Sequence, residues 1–552
     1  MPDAESEDAL TATRTSGSTD HMWWQCGVVY QVYPRSFQDT DGDGVGDLEG
    51  IRQRVDHMVD LGVDAVWISP IYPSPMADFG YDITDHTDVD PLFGTLGDLD
   101  RLLTACHERR LRVVLDFVPG HTSDQHPWFV AARSSRDNPH RDWYVWADPA
   151  PGGGPPNNWV SEFGGPAWTY DEPTGQYYLH IHLAAQPSLN WRHPEVRAKM
   201  LNVLRFWFDR GVDGFRVDAV DHIAPDAQLR DNPPNPDWTV GQSPARRLLR
   251  QFTAHTPQVY ALTREMRQVA DTYDGDLVLI GEAYGSLDQV MRYYGDALNG
   301  IQLPFNLALI DVDWNPRTLA ALVEDYEAAL PEGAWPNWVL GNHDRSRIAS
   351  RVGPAQARVA AMLLLTLRGT PTIYQGDELG MVDVDVPSGA VQDPWERQVP
   401  GLGLGRDPIR TPMPWNAGPR RGFTTGTPWL PFGSTTPADE QRNDPASMLT
   451  LHRRLLALRR SEPALAIGGY RTRSVTDATF VYERYHDGRT LAVALNLTSI
   501  EQPLRLVGST TLLSTHHGDS RPGHLRADEG RIVELQSPDE GTALPPADSS
   551  PT

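Results

Sequence analysis

From Gly27 onward, short apolar runs alternate with stretches whose apolar residues recur every three or four positions. The run 28–33, VVYQVY, predicts a strand. Over 48–61, Ile51, Val55, Met58 and Val59 fall at i, i+4, i+7 and i+8, one face of a helix. VDAVWISP at 63–70 is β-branched and nearly continuous, as a strand buried on both faces must be. Leu99, Leu102, Leu103 and Cys106 mark the next helix face, and LRVVLDFVP at 111–119 the next strand. Strand and helix alternating at this spacing predict a parallel α/β architecture. The alternation stops at 120–187, which is rich in Gly, Pro, Trp and Asn and carries PGGGPPNNW at 151–159. That stretch is too long for a plain connection and predicts a small inserted domain. The pattern resumes with a helix over 194–210, where Leu201, Leu204 and Phe208 share a face, and a strand over 211–218. LVLIGE (277–282), IQLPF (301–305), NWVLGNHD (337–344) and GTPTIYQGDE (369–378) bring the strands to eight, the number that closes a (β/α)8 TIM barrel. After a loop-rich segment and a helix at 446–460 the period changes to two. TFVYERY, TLAVALNL and RIVEL alternate as strands of an antiparallel sheet do.

The expected plan is therefore an α/β chain in five parts. A disordered leader (1–21) precedes a catalytic barrel (22–119 and 188–461) interrupted after strand 3 by the inserted domain (120–187). A C-terminal antiparallel β-domain (462–535) and a disordered tail (536–552) follow. No apolar run approaches the length of a membrane span, and Met1 to Asp20 has no apolar centre of the kind a secretory signal needs. With only two cysteines, Cys26 and Cys106, the second on a helix face, a reducing, cytoplasmic setting is expected. The formal charge of −25 argues against binding nucleic acid and suits a neutral small-molecule ligand.

Chemistry concentrates at the strand ends. In a parallel barrel the loops after the strands converge on one mouth, and Asp116, Asp218, Glu282 and Asp344 all fall there. One carboxylate in such a place often caps the following helix. Four at matching heights repel one another, a cost that acid/base chemistry gives a reason to accept. Two carboxylates facing a glycosidic bond can divide the work, one attacking the anomeric carbon and the other moving the proton. Arg216 lies two residues before Asp218, so in a strand both side chains point the same way and the guanidinium can hold Asp218 ionised. His121 and His343, in strand-end segments, can donate hydrogen bonds to sugar hydroxyls. Separately, Asp39-Thr-Asp41-Gly-Asp43-Gly-Val45-Gly-Asp47 offers a carboxylate at alternate positions on a flexible loop, the supply of oxygens that hard divalent cations require.

FRVDAVDH (215–222), GEAYG (281–285), GNHDRSR (341–347), DFVPGHTS (116–123) and QPSLNW (186–191) resemble, in order, the short motifs of glycoside hydrolase family 13. This is the α-amylase family, and the similarity is to its α-glucosidase and oligo-1,6-glucosidase branch, over about 23–535. The resemblance implies Asp218 as nucleophile, Glu282 as general acid/base and Asp344 as the third carboxylate, with Arg216, His121 and His343 around the reacting glucose. It implies Tyr81, in DFGYDITD, stacked under that ring. Asp78 would pair with an arginine of GRDPIRTPM (405–413), preferably Arg406, to shut the non-reducing end. It further implies that the acidic loop binds structural calcium, with magnesium as the second choice, through Asp39, Asp41, Asp43, the Val45 carbonyl and Asp47. Ser188 stands where the branch usually has Asp. Ala219, after the nucleophile, goes in this branch with α-1,4 linkages or sucrose-like substrates, and the expectation leans to short α-1,4-glucosides such as maltose. The implied activity is exo-acting, retaining release of glucose from short α-glucosides, with glucosyl transfer beside it. A glucosyl transferase or isomerase of the trehalose synthase or sucrose isomerase type is the alternative on the same fold. A non-catalytic barrel serving as a binding subunit is the alternative of another class.

Overall fold

A computed structural model describes residues 21–506, 509–518 and 521–536. The expected leader and tail, apart from His21 and Gln536, lie outside the described residues. The eight strands occur where the apolar runs place them: β1 (Val29–Val32), β2 (Ala65–Ile68), β3 (Arg112–Phe117), β4 (Gly214–Val217), β5 (Val278–Gly281), β6 (Leu303–Pro304), β7 (Asn337–Val339) and β8 (Thr370–Tyr374). They pair in parallel in the order β7-β8-β1-β2-β3-β4-β5-β6. A parallel bridge between Asn306 and Trp338 joins the two ends and closes the ring. Each strand is shorter than its apolar run, and all but β7 are trimmed at both ends.

Alternation along the strands explains why so little of them is polar. Val29, Ala65, Trp67, Val114, Val278, Ile280, Leu303 and Val339 point inward and form the barrel's interior cluster. Tyr30, Val66, Val113, Phe215 and Leu279 point outward onto the helices. Both faces are dry, so both must be apolar. Where the inward row reaches the mouth it changes character, with Gln31, Asp116 and Arg216 buried but polar.

Around the barrel, Leu96–Glu108 opens on a reciprocal Thr95/Asp98 cap and buries Leu99, Leu102, Leu103 and Cys106, as the spacing predicts. Pro194–Asp209 buries Leu204 and Phe208, with Leu201 half-buried. The stretch 48–61 corrects its prediction. It is two helices, Leu48–Gln53 and Val55–Leu61, broken at Arg54. Ile51, Val55 and Met58 are buried, but Val59 is exposed. The break rotates the second helix, so His57 faces inward instead, its Nε2 3.1 Å from Glu378 Oε1.

Within 120–187, Trp146–Ala147, Gln176–Leu179 and Trp168–Asp171 form a small antiparallel sheet over Trp159, Trp168 and Leu179. After the helix Met448–Ser461 comes a five-stranded antiparallel sheet in the order Gly469–Val475, Thr479–His486, Arg489–Asn496, Gly530–Leu535, Ser509–Ser514. The alternation marks its three inner strands. Its edge strands escape notice because an edge needs no continuous apolar face, and GYRTRSV carries arginines instead.

Two buried arginines sit at the junction with the barrel, Arg484 on a strand of this sheet and Arg459 on the helix before it. Arg459 donates to the carbonyls of Leu365, Leu367, Leu465 and Gly369, and Arg484 to those of Thr366, Gly468 and Gly469. Several of these carbonyls end the helix Ile348–Thr366, the negative pole of its dipole. Arg459→Met, which leaves buried acceptors without donors, is expected to cost about 3 kcal/mol or more, seen as a lower urea midpoint. Both cysteines are free thiols. Among the described residues no helix is long and apolar enough to cross a membrane.

Candidate active site

A cavity of about 480 Å³ opens at the C-terminal ends of the barrel strands. Of the residues singled out in the sequence, Asp78, Tyr81, His121, Asp218, Glu282, Asp344 and Arg406 line it. Arg216 and His343 sit behind the wall, each about 1% exposed.

Strand register builds the floor. Asp116 and Arg216 are direct partners across β3 and β4, so both side chains enter the barrel together. Asp218 follows Arg216 by two and points the same way, as the strand period requires. Arg216 Nη1 donates to Asp116 Oδ1 at 2.7 Å and to Asp218 Oδ1 at 2.6 Å. Its Nη2 lies 2.5 Å from Glu282 Oε2. One guanidinium thus bridges Asp218 and Glu282, so both carboxylates face the same cation, the kind of close pairing that a retaining mechanism requires. The β4 chain then turns sharply. Ala219 adopts the left-handed conformation with φ at 37°, unusual for a residue bearing a Cβ. That turn aims its N–H at Glu282 Oε2, 3.0 Å away.

The charge balance is uneven. Arg216 is a single cation facing Asp116, Asp218 and Glu282, and all four groups are buried. Burial pushes Asp218 and Glu282 up to about 7 and Asp116 up to about 6, with Arg216 opposing the rise in each. Asp344 differs. Burial works against its ionisation too, but His343, Arg406, Arg410 and Arg216 outweigh it and hold the carboxyl well below the usual range. Its Oδ1 accepts from Arg410 Nη2 at 2.8 Å and Arg406 Nη1 at 3.3 Å. The site therefore holds one firmly ionised acid and three that keep protons readily.

The Asp78–Arg406 pair expected from the sequence forms, with Nη2 donating to Asp78 Oδ1 at 2.6 Å. Sequence reasoning missed what fixes it: Asp393 accepts from Arg406 Nη2 at 2.7 Å and from its backbone N–H at 2.5 Å. GRDPIRTPM in fact supplies two arginines, and Arg410 as well as Arg406 reaches Asp344. Tyr81 stacks on His343 with ring planes 2° apart, and its hydroxyl lies 2.8 Å from His343 Nε2. On the other side His343 Nδ1 meets Gln31 Nε2 at 2.7 Å. His121 Nε2 lies 3.0 Å from the Tyr81 carbonyl, and burial pushes this ring down to about 4, so it is neutral at pH 7. Gln186 connects the set, its Nε2 3.2 Å from Asp78 Oδ2 and 3.1 Å from His121 Nε2. Ser188, the departure in the same motif, accepts from Ile181 N–H within the insert. Gln31 and Gln186 carried no signal beyond their places in quoted segments, and Asp393, in the loop-rich segment after the last barrel strand, carried none.

Away from this cavity, the acidic loop closes on itself. Asp39, Asp41 and Asp43 bring carboxylate oxygens within 4.8 Å of one another. Asp39 is held in place by the N–H groups of Asp41, Gly42 and Gly44 at 2.8–3.0 Å. Gly44 permits this with a φ of 96°, where a Cβ would lie 1.8 Å from the Thr427 carbonyl. Three converging hard oxygens fit a divalent cation. Asp47 stands outside the trio. Its Oδ1 caps the next helix at Gly50 N–H (2.7 Å) and its Oδ2 accepts from Thr40 N–H (2.7 Å).

Comparison with known proteins agrees with this geometry. The family model for the α-amylase catalytic domain matches residues 31–468. A probable α-glucosidase of Rhizobium meliloti (strain 1021) is 42% identical over 481 residues, covering 83% of this chain and 87% of its own. The crystal structure of an α-glucosyl transfer enzyme, XgtA, superposes with a TM-score of 0.89 at 39% identity, covering 94% of this chain and all of that one. The trehalulose synthase MutB of Pseudomonas mesoacidophila MX-45 superposes at 0.86 with 34% identity, with 94% and 100% coverage. With an eight-stranded parallel barrel, a carboxylate cluster at its mouth and a family model spanning most of its length, the chain belongs to the α-amylase family.

Proposed function

We propose that the protein is a retaining, exo-acting α-glucosidase that releases glucose from the non-reducing end of short, maltose-like α-glucosides. The observation that carries this is the single Arg216 guanidinium joining Asp218 to Glu282 in a cavity where the buried Asp78–Arg406 pair also sits. Asp218 attacks the anomeric carbon and forms a glucosyl ester while Glu282 protonates the leaving oxygen. Glu282, now ionised, takes a proton from water, and the resulting hydroxide equivalent releases glucose with its configuration retained. Asp344 stays ionised throughout and can accept hydrogen bonds from sugar hydroxyls that strengthen as positive charge develops on the ring. The Asp78–Arg406 pair leaves room for a terminal glucose and stops a longer chain from running through. The name borne by the Rhizobium relative supports the same reading.

The test is a product time course on maltose, isomaltose, sucrose and trehalose, beside Asp218→Ala. Free glucose from the α-1,4 substrate and none from the variant is expected. Absence of glucose from all four would overturn the proposal. The names of the transfer enzyme XgtA and the trehalulose synthase MutB favour one second reading, transfer or isomerisation of the bound glucosyl unit. Disaccharide isomers in place of glucose would establish it.

For the acidic loop, the converging carboxylates of Asp39, Asp41 and Asp43 support the reading of a structural calcium ion, which would supply charge neutralisation and no reaction step. Calcium at a hundredfold excess over Kd is then expected to stabilise the fold by about 2.7 kcal/mol. A thermal midpoint that ignores both calcium and chelator, or an Asp39→Asn variant that responds like the parent, would count against it.

A further inference from the structure

The acid that protonates the leaving oxygen fixes where the leaving sugar must lie, and the residues on that side have no assigned task. Glu282 ends β5. Beyond it the cavity is lined by Tyr284, by Asp311 after β6 and by Arg345 after β7. Asp78 follows β2, which lies across the ring from β5 and β6. Arg406 pairs with Asp78, lies 5.2 Å from the Phe163 ring and reaches Asp344 with its other nitrogen, so its donors are taken up at the glucose end.

Arg345 differs from its neighbours in the cavity. Arg406 and Arg250 each meet a carboxylate, as does Arg216 behind the wall. Arg345 forms no ion pair among the described residues; its guanidinium carbon lies 5.3 Å from the Tyr284 ring centroid. Its Nε is buried without a hydrogen-bond partner. Arg246 also lines the cavity without an ion pair, but it is exposed and water can solvate it. A guanidinium carries five donors and no acceptor. The Arg345 side chain hydrogen-bonds that of Tyr284, and Asp311 and Asp344 act on its charge, but neither carboxylate stands at ion-pair distance, so donors remain for oxygens that arrive with a ligand.

Resting on the proposed glucosidase activity, we propose that Arg345 is the residue that recognises the leaving sugar. Its guanidinium donates to hydroxyl oxygens of a saccharide aglycone, with the Tyr284 ring holding the guanidinium in place. The same contact orients an acceptor sugar for glucosyl transfer, because transfer is the first step run backwards with a new alcohol. Arg345 is thus a specificity residue, and it takes no part in breaking the glucosyl ester.

The test compares two substrates that share the glucose and differ in what leaves: maltose, and α-glucosyl fluoride, which has no leaving sugar. Arg345→Met and Arg345→Gln are each expected to lower the ratio of kcat/KM for maltose to that for the fluoride by about 10- to 100-fold, the range for a lost hydrogen bond to a charged group. The partition of the glucosyl-enzyme between added maltose and water shifts toward water in parallel. An unchanged ratio in both variants would overturn the assignment. So would failure of both to fold, because a residue supplied for ligand contact is not needed for folding. A wild-type protein that releases glucose from neither substrate would instead bring down the proposed function, which keeps the two failures distinct.

Discussion

Asp218→Ala is expected to lower kcat for maltose by about 10⁴- to 10⁶-fold, as removal of a nucleophile from a working set does. Its thermal midpoint should be no lower than the parent's. The second half is the sharper. Asp218 shares one cation with Asp116 and Glu282 inside a buried cluster, so its carboxylate adds repulsion as well as attraction. Deleting it leaves Arg216 with two carboxylates in place of three. A residue present for architecture would lower the midpoint when removed; one present for chemistry need not. Initial rates on maltose and a thermal melt of the same preparation read both quantities. Residual activity within tenfold of the parent would end the nucleophile assignment.

Glu282→Gln is expected to cost about 10²- to 10⁴-fold on maltose, the usual span for a lost general acid. It should cost less on α-glucosyl fluoride, whose leaving group needs no proton. The pH profile follows from the same cluster. Activity needs Asp218 ionised and Glu282 protonated. Burial raises both to about 7, so kcat/KM should form a narrow bell near neutrality. Its limbs belong to the coupled pair and not to either acid alone. With the fluoride substrate, which needs no acid, the alkaline limb should be absent from the parent and from Glu282→Gln alike. A limb that survives there would assign it to another group.

Stability should respond with the opposite trend to that of an ordinary salt-bridged acid. Asp116, Asp218 and Glu282 have folded-state values above those of free carboxyls. Their contribution is fully present below the unfolded value near 4 and is lost as pH rises through about 6 to 7. Between pH 4 and 7 the parent should therefore lose more stability than Asp218→Ala, measured as urea midpoints across that window. Asp344 carries the reverse sign. Its carboxyl is depressed, so its contribution is present above the unfolded value and lost toward strong acid.

The eight strands, the insert and the C-terminal sheet were legible because each is written locally, in runs, periods and breaks. Val29, Val66 and Val113 announce their strands whatever surrounds them, since a buried strand must be apolar on both faces. Val59 was misplaced because the break at Arg54 rotates a helix that periodicity treats as continuous. Edge strands such as Gly469–Val475 were missed because an edge is freed from the alternation that identifies inner strands.

The sequence by itself determined the fold class, the positions of the strand-end acids and the pairing of Arg216 with Asp218, because strand period two is a local rule. Only the tertiary structure decided that Arg216 would also reach Glu282, that Asp393 and Arg410 would brace the Asp78–Arg406 and Asp344 contacts, and that His343 would stand behind Tyr81. Those contacts join residues tens to hundreds of positions apart. Their energies depend on distance and burial, and no local pattern in the chain encodes either.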